Sequence, residues 1–435
     1  MPKRIGMLIS AILLGVALSG CGGKEAKQAE DVAPETFTNE PVTVTLYSHY
    51  AAINTDKDLD DLFGRSVRAK YPNITIELVK GVKLQDLIAA GEVPDLIATT
   101  HYYMGTILPL GIGSDLNDFV KKYKIDLNRF VPEAIQAVKM YGKNGELYGI
   151  PYTLNYGLLI YNKDIFNKFA APYPTDGMTW NELIELARKL TRVDNGTQYI
   201  GLDPGSARTV GRAYSLGTVD EKQEKAVLNS EGFRKVYGIL KQIYDMPGYV
   251  NKNKYSYGID YFIKDQKLAM FPSWLAAITS RLPQLNEPGK SFDWDIAAHP
   301  VFDDRPGIGR EIEFQSLMVP PNSKNREAAY RIIQTVVSEE AQRAMNSENT
   351  LTILDDPKLR AEFGSKTELY KGKNLAGIFK VKPAPSPIPS EFDEKLYSFL
   401  GEATKSMVLE KQDINTVLRI ANEKGDKYIQ SVKSQ

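Results

Sequence analysis

The chain has 435 residues with 54 basic and 54 acidic side chains, so its formal net charge is zero. That balance does not suggest a nucleic-acid partner, which would want a basic stripe, and a single cysteine excludes a disulfide framework. The length exceeds what one ordinary core organises, so two domains are expected.

The first element is "MPKRIGMLISAILLGVALSG", in which Lys3 and Arg4 precede an uncharged run over residues 5–18. A charged head and an apolar body of this size make a secretory leader, too short to span a bilayer comfortably. At its end, Leu18-Ser19-Gly20-Cys21 resembles the bacterial lipobox, which implies cleavage after residues 1–20 and a diacylglycerol on the Cys21 sulfur. A fatty chain contributes about 0.8 kcal/mol per buried CH₂, so two or three chains on Cys21 would hold the protein at a membrane surface. No thiol then remains, and removing Lys3 and Arg4 leaves two more acids than bases. Residues 21–40 read as the lipidated cysteine and a disordered tether of small and charged residues. The tether's r.m.s. reach is about 25 Å, enough to clear lipid headgroups.

"VTVTLY" (42–47) and "NITIELV" (73–79) alternate apolar and polar residues, a strand period. Between them "DKDLDDLFGRSVRAKY" has helical spacing, and "LQDLIAA" is a second short helix before "PDLIATT" (94–100), a strand buried on both faces. The order β-α-β-α-β predicts a parallel sheet with right-handed crossovers. Ligands of such sheets sit outside the carboxyl ends of the strands, where this chain places Ser48-His49-Tyr50 and residues 99–103. Asp95, at a strand start after Pro94, is expected to be structural. "MTWNELIELARKLTR" predicts a helix opened by a Thr179/Glu182 capping box, with Trp180 packed beneath it. "REAAYRIIQTVVSEEAQ" predicts another helix, "KPAPSPIPSEF" (382–392) an extended strap, and one further helix closes the chain. No second apolar run reaches membrane-spanning length, and no internal repeat is visible.

In order along the chain, the lipobox, "VPDLIATT", "GELYGIPYTLNYGLLIYNKDIF", "YPTDGMTWNELIELARKL", "KLAMFPSW", "WDIAAHPVF" and "SLMVPPNSKNREAAYRII" resemble family 1 extracellular solute-binding proteins of ABC importers, the maltose-binding-like type. The resemblance implies an α/β, two-lobed periplasmic-binding-protein-like fold of type II, with a ligand cleft between lobes joined by crossing segments. The crossings would fall near residues 149–152 and 297–300. The N-terminal lobe would comprise 41–150 and 300–350, and the C-terminal lobe 151–299 and 351–435. On this reading the cleft is lined by His49, Tyr50, Thr100, His101 and Tyr102 from the first lobe. Tyr152, Asn155, Tyr156 and Trp274 would join them from the crossing and the second lobe, with Glu313, Phe314 and Gln315 from the loop before "SLMVPP" and Asp203 in "GLDPGSAR".

A sugar suits such a set, because its C–H faces lie on aromatic rings while planar polar groups meet its hydroxyls. The implied function is capture of a sugar or oligosaccharide by lobe closure and delivery to the permease subunits of an ABC importer. The protein would be a monomer anchored to the lipid bilayer on the outer face of a Gram-positive cell. Presentation of the ligand to a membrane sensor kinase is the alternative, followed by a carbohydrate-active enzyme, although no GxSxG, HExxH or Walker pattern occurs. No cofactor is implied. His49, His101 and His299 lack the close spacing and accompanying carboxylates of a metal site. Cys21→Ser should abolish lipid attachment without disturbing the soluble fold; equal recovery of mutant and wild type in carbonate-washed membranes, with the leader removed, would contradict the anchor.

Overall fold

The computed structural model describes residues 39–285, 289 and 291–434. The leader, Cys21 and residues 22–38 of the tether lie outside them. The strands, in chain order, are β1 (Val42–His49), β2 (Ile74–Val79), β3 (Leu96–Thr100), β4 (Ile150–Asn155), β5 (Gly157–Asn162), β6 (Arg192–Asp194), β7 (Thr197–Leu202), β8 (Leu268–Trp274), β9 (Trp294–Ala298), β10 (Glu313–Met318) and β11 (Leu351–Thr352).

Val44 and Leu46 point β1 inward, and β1 pairs in parallel with β2 on one side and β3 on the other, as the β-α-β-α-β order predicts. The sheet does not stop there. Its order is β11-β4-β10-β3-β1-β2, and β10, β4 and β11 join antiparallel. A second sheet has the order β6-β7-β8-β5-β9, in which only β7 and β8 run parallel. The chain therefore crosses between sheets at Tyr156, later than residues 149–152, because Ile150 to Asn155 keep register with β10. The return likewise extends beyond residues 297–300, from the end of β9 at Ala298 to the start of β10 at Glu313.

Buried Asp95 pins the first sheet. Its carboxylate accepts from Thr45 N and Oγ1 (3.0 and 3.1 Å), Ser323 Oγ (3.0 Å) and Asn325 N (3.0 Å). Burial raises its pKa, but these donors outweigh burial and leave it below the usual carboxylate range.

The helix Trp180–Leu190 starts with the expected capping box: Glu182 N donates to Thr179 Oγ1 (3.3 Å), and Thr179 N to Glu182 Oε2 (2.7 Å). Trp180 is 0% exposed, beside His299 and Phe302. Two expected helices are divided. Ser338 caps a new helix, so the stretch from Arg326 forms Arg326–Val336 and Glu339–Glu348. The chain closes on two helices, Asp393–Leu409 and Ile414–Lys433, separated by Lys411 at φ 57° and capped by Asp413. Both pack on the helix Glu231–Tyr244. No described helix is long and apolar enough to cross a membrane. Trp180→Ala should cost about 3–5 kcal/mol of stability in urea unfolding; a loss under about 1 kcal/mol would contradict a packing role.

Candidate ligand-binding cleft

A cavity of 420 Å³ opens where the strand ends of the first sheet meet the helix Leu275–Thr279 that follows β8. Small-molecule sites commonly occupy roughly 300–1,000 Å³. Register assembles its floor. Glu313 of β10 pairs with Asn155 of β4, and Gln315 pairs with both Thr153 and Thr100. Thr100, Thr153, Asn155, Glu313, Phe314 and Gln315 thereby share one wall. The second lobe answers with Leu275, Ala276, Thr279 and Ser280.

The remaining lining has two sources. Residues 60–64 widen into a π-turn, a helical irregularity found often at functional sites, and Asp61 and Leu62 reach the cavity from it. Residues 348–351, between the helix Glu339–Glu348 and β11, supply the other side. At the mouth Tyr50 takes φ 58°, an uncommon conformation for a bulky residue, and is 66% exposed. Its ring stacks on Tyr103 with centroids 4.1 Å apart and planes 16° apart, forming a two-ring platform.

Among the described residues four carboxylates, Asp58, Asp61, Glu313 and Glu348, line the cavity and no lysine or arginine does. Asp61 is paired to Lys57 and Arg65, and Asp58 accepts from the backbone of Asn54 and Thr55. Glu313 is different. Burial lifts its pKa, which Asn155 and then Arg310 only partly pull back. Asn155 Nδ2 donates to Glu313 Oε2 at 2.6 Å. Thr100 Oγ1 is buried and has no partner within the protein. Tyr152 donates its hydroxyl to Gln315 Oε1 (2.6 Å), which fixes that amide with its nitrogen as the free donor end. Aromatic faces, hydroxyls, amides and a half-buried carboxylate around one cavity match a neutral polyhydroxylated ligand.

Of the expected residues, the structure brings Tyr50, Thr100, Asn155, Glu313, Phe314 and Gln315 to the cavity. The others are placed elsewhere. His49 stands edge-on behind Tyr50 and Tyr103 (4.8 and 5.8 Å). His101 is buried, stacked on Phe314 at 4.4 Å, and its Nδ1 accepts from Phe314 N (3.4 Å). Tyr102 donates to Glu311, with the Arg208 and Arg212 guanidinium groups 5.2 and 5.0 Å from its ring. Tyr152 is a core residue, edge-on to Phe63. Tyr156 packs on Phe379 (5.5 Å) in a separate 260 Å³ recess. Asp203 is buried and saturated by Gly205, Tyr257 and Gly258 N–H groups at 2.9, 2.6 and 2.8 Å, leaving it a loop organiser. Trp274 adjoins the cavity, but the Arg310 guanidinium lies 3.5 Å from its ring centroid. Asp61, Leu62, Thr279, Ser280 and Glu348 line the cavity and were not anticipated. Tyr103, among the strand-exit residues 99–103, stands beside the mouth against Tyr50. Among the described residues no group of three or more His, Cys, Asp or Glu could hold a metal ion.

The sequence pattern of bacterial extracellular solute-binding proteins matches residues 56–343, about two thirds of the chain. The chain belongs to that family. It is 25% identical over 249 residues to the arabinooligosaccharide-binding protein of Bacillus subtilis, covering 54% of this chain and 53% of that one. The chain thus spans about half the length, or less, of the curated relatives it matches. An ABC substrate-binding protein from Listeria monocytogenes, solved with cycloalternan, superposes with TM-score 0.73 at 18% identity, covering 90% of this chain and 100% of that one. The sugar-binding protein MalE of Xanthomonas citri superposes with TM-score 0.70 at 17% identity, covering 90% and 98%. At such identities these likenesses establish the fold, that of two-domain solute-binding proteins.

Burial, and then the charges of Arg212 and Arg310 respectively, hold the imidazoles of His101 and His299 down to about 3. The unfolded chain takes up these protons near pH 6.5, so the folded state loses stability as pH falls from there toward 3. Between pH 7 and pH 5 each histidine should cost roughly 2 kcal/mol. Urea midpoints at the two pH values check this, and His101→Gln should remove about half of the loss. A midpoint independent of pH would contradict it.

Proposed function

We propose that the protein captures a sugar or oligosaccharide in this cleft and delivers it to the permease subunits of an ABC importer. It works as a monomer tethered through acylated Cys21 to the outer face of a Gram-positive membrane. The observation that carries this reading is the composition of the cavity wall. Glu313, Asn155, Thr100 and Gln315 from one sheet face Thr279 and Ser280 from the other lobe, with Tyr50 at the mouth. A ligand touches both sets only when the lobes are together, so binding shifts the population toward the closed form by its differential affinity. The closed form docks on the permease, and opening there releases the sugar. The printed functions of the relatives, an arabinooligosaccharide-binding protein and a substrate-binding protein holding cycloalternan, support a carbohydrate. The family and its solved neighbours are binding proteins.

Glu313→Gln keeps the side chain's shape but removes a charged acceptor. Hydrogen bonds to charged groups contribute about 1.5–3 kcal/mol, so affinity should fall about 10- to 100-fold in calorimetric titrations with arabino- and malto-oligosaccharides. Unchanged affinity, or no binding of any sugar by the wild type, would contradict the proposal.

A further inference from the structure

We propose that the cleft takes neutral or amino sugars and shuts out the same sugars carrying a carboxylate, with Glu313 as the principal discriminator. This rests on the reading of the cleft as a sugar site. The four carboxylates of the cavity come from separate elements. Asp58 and Asp61 enter from residues 56–64, Glu348 from the end of the helix Glu339–Glu348, and Glu313 from the start of β10. The cations that answer them stand outside the cavity. Asp61 pairs with Lys57 and, at 2.9 Å, with Arg65, which also lies 3.8 Å from Glu348. The Lys57 and Arg65 side chains are 80% and 56% exposed, so solvent and salt screen them. Asp58 is held by backbone N–H groups and Glu313 by the Asn155 amide, neither of which carries a charge. Two cations thus answer four carboxylates.

Glu313 is placed to act first. Asn155 occupies its Oε2 at 2.6 Å, and no described residue donates to Oε1. Arg310 acts on Glu313 through space, but it sits 3.7 Å from Glu311, whose charge acts on Glu313 in the opposite sense. In the same wall Thr100 is 6% exposed, and its buried hydroxyl has no partner within the protein. An open hydroxyl and an open carboxylate oxygen suit the hydroxyl rim of a sugar. A ligand carboxylate would instead face Glu313 with no cation between them. The helix Leu275–Thr279 does not supply the missing donors. Leu275 N is taken by Tyr156 O and Ala276 N by Asn155 Oδ1, both at 2.9 Å. Like charges brought together out of water repel strongly, whereas a protonated amine at the same point is attracted. Discrimination therefore comes from an arrangement hostile to the wrong ligand, not from an added contact to the right one.

The test is calorimetric titration of the mature protein with a parent sugar and two derivatives of it. Maltotriose and arabinotriose serve as parents. In one derivative the hydroxymethyl groups are oxidised to carboxylates, and in the other their hydroxyls are replaced by amines. In dilute buffer the carboxylate form should bind about tenfold or more weakly than its parent, and the amine form at least as tightly. Salt at about 0.5 M should shrink the difference, because it screens charge and leaves hydrogen bonds in place. Glu313→Gln should narrow the ratio of neutral to acidic affinity about threefold or more. Glu348→Gln, which loses only a 3.8 Å pairing with Arg65, should narrow it in the same direction by less. Equal binding of the acid form and its parent would overturn the proposal. So would an equal loss on both derivatives, since the hydroxyl and not the charge would then be read. A ratio unchanged in Glu313→Gln would overturn the role given to that residue. Failure of the wild type to bind any parent or derivative would instead overturn the sugar reading, a result distinct from tight binding of the acid form.

Discussion

The side-chain amide of Asn155 ties together the three parts of the chain that form the cleft. Its Nδ2 donates to Glu313 on β10 at 2.6 Å, and its Oδ1 accepts from Ala276 N in the second lobe at 2.9 Å. A carboxamide sets a donor and an acceptor on two separate atoms of one planar group. An aspartate here would set a second carboxylate against Glu313 and lose the donor. Asn155 is also the last residue of β4, with Tyr156 alone between it and β5 of the other sheet. The cavity wall, the crossing and the first turn of the helix Leu275–Thr279 therefore share one anchor.

Beside this polar wall lies a seam of paired charge. Glu311 is 0% exposed, and removing a carboxylate from water costs several kcal/mol unless partners compensate. Here Arg212 and Arg310 lie 3.7 Å away and Tyr102 donates from the first lobe. The same positive charges help keep His101 and His299 neutral. Arg208 and Arg212 lie between the rings of Tyr102 and Tyr397, so contacts from both lobes converge on them. The lobes meet through balanced ionic and aromatic contacts, while the cavity presents uncompensated hydrogen-bonding capacity to a ligand.

Alternation in β1 and β2, the apolar run of β3 and the helices between them made their parallel order readable, and with it the placement of Tyr50 and Thr100 at strand exits. The capping box at Thr179 and the burial of Trp180 followed from local pattern alone. What escaped were contacts set by distant register. β10 and β4 pair antiparallel across 158 positions between Asn155 and Glu313, and no local period announces that. Tyrosine has an apolar body and a polar tip, so sequence did not separate Tyr50 at the mouth from Tyr152 in the core or Tyr156 in the other recess. Asp203 is saturated partly by backbone groups more than 50 residues away, and Trp274 is covered because Gly157 leaves room for Arg310. The π-turn that delivers Asp61 and Leu62 lies within an ordinary helical pattern.

Hydrogen exchange of the mature protein with and without a saturating oligosaccharide tests the central claim, that the ligand bridges both lobes through this cavity, most directly. The account predicts new protection in residues 99–103, 153–155 and 313–315 together with 275–280, because these segments form facing walls. Exchange around Asp203 and in the recess beside Tyr156 and Phe379 should stay unchanged. Protection confined to one lobe, or centred on that recess, would contradict the account.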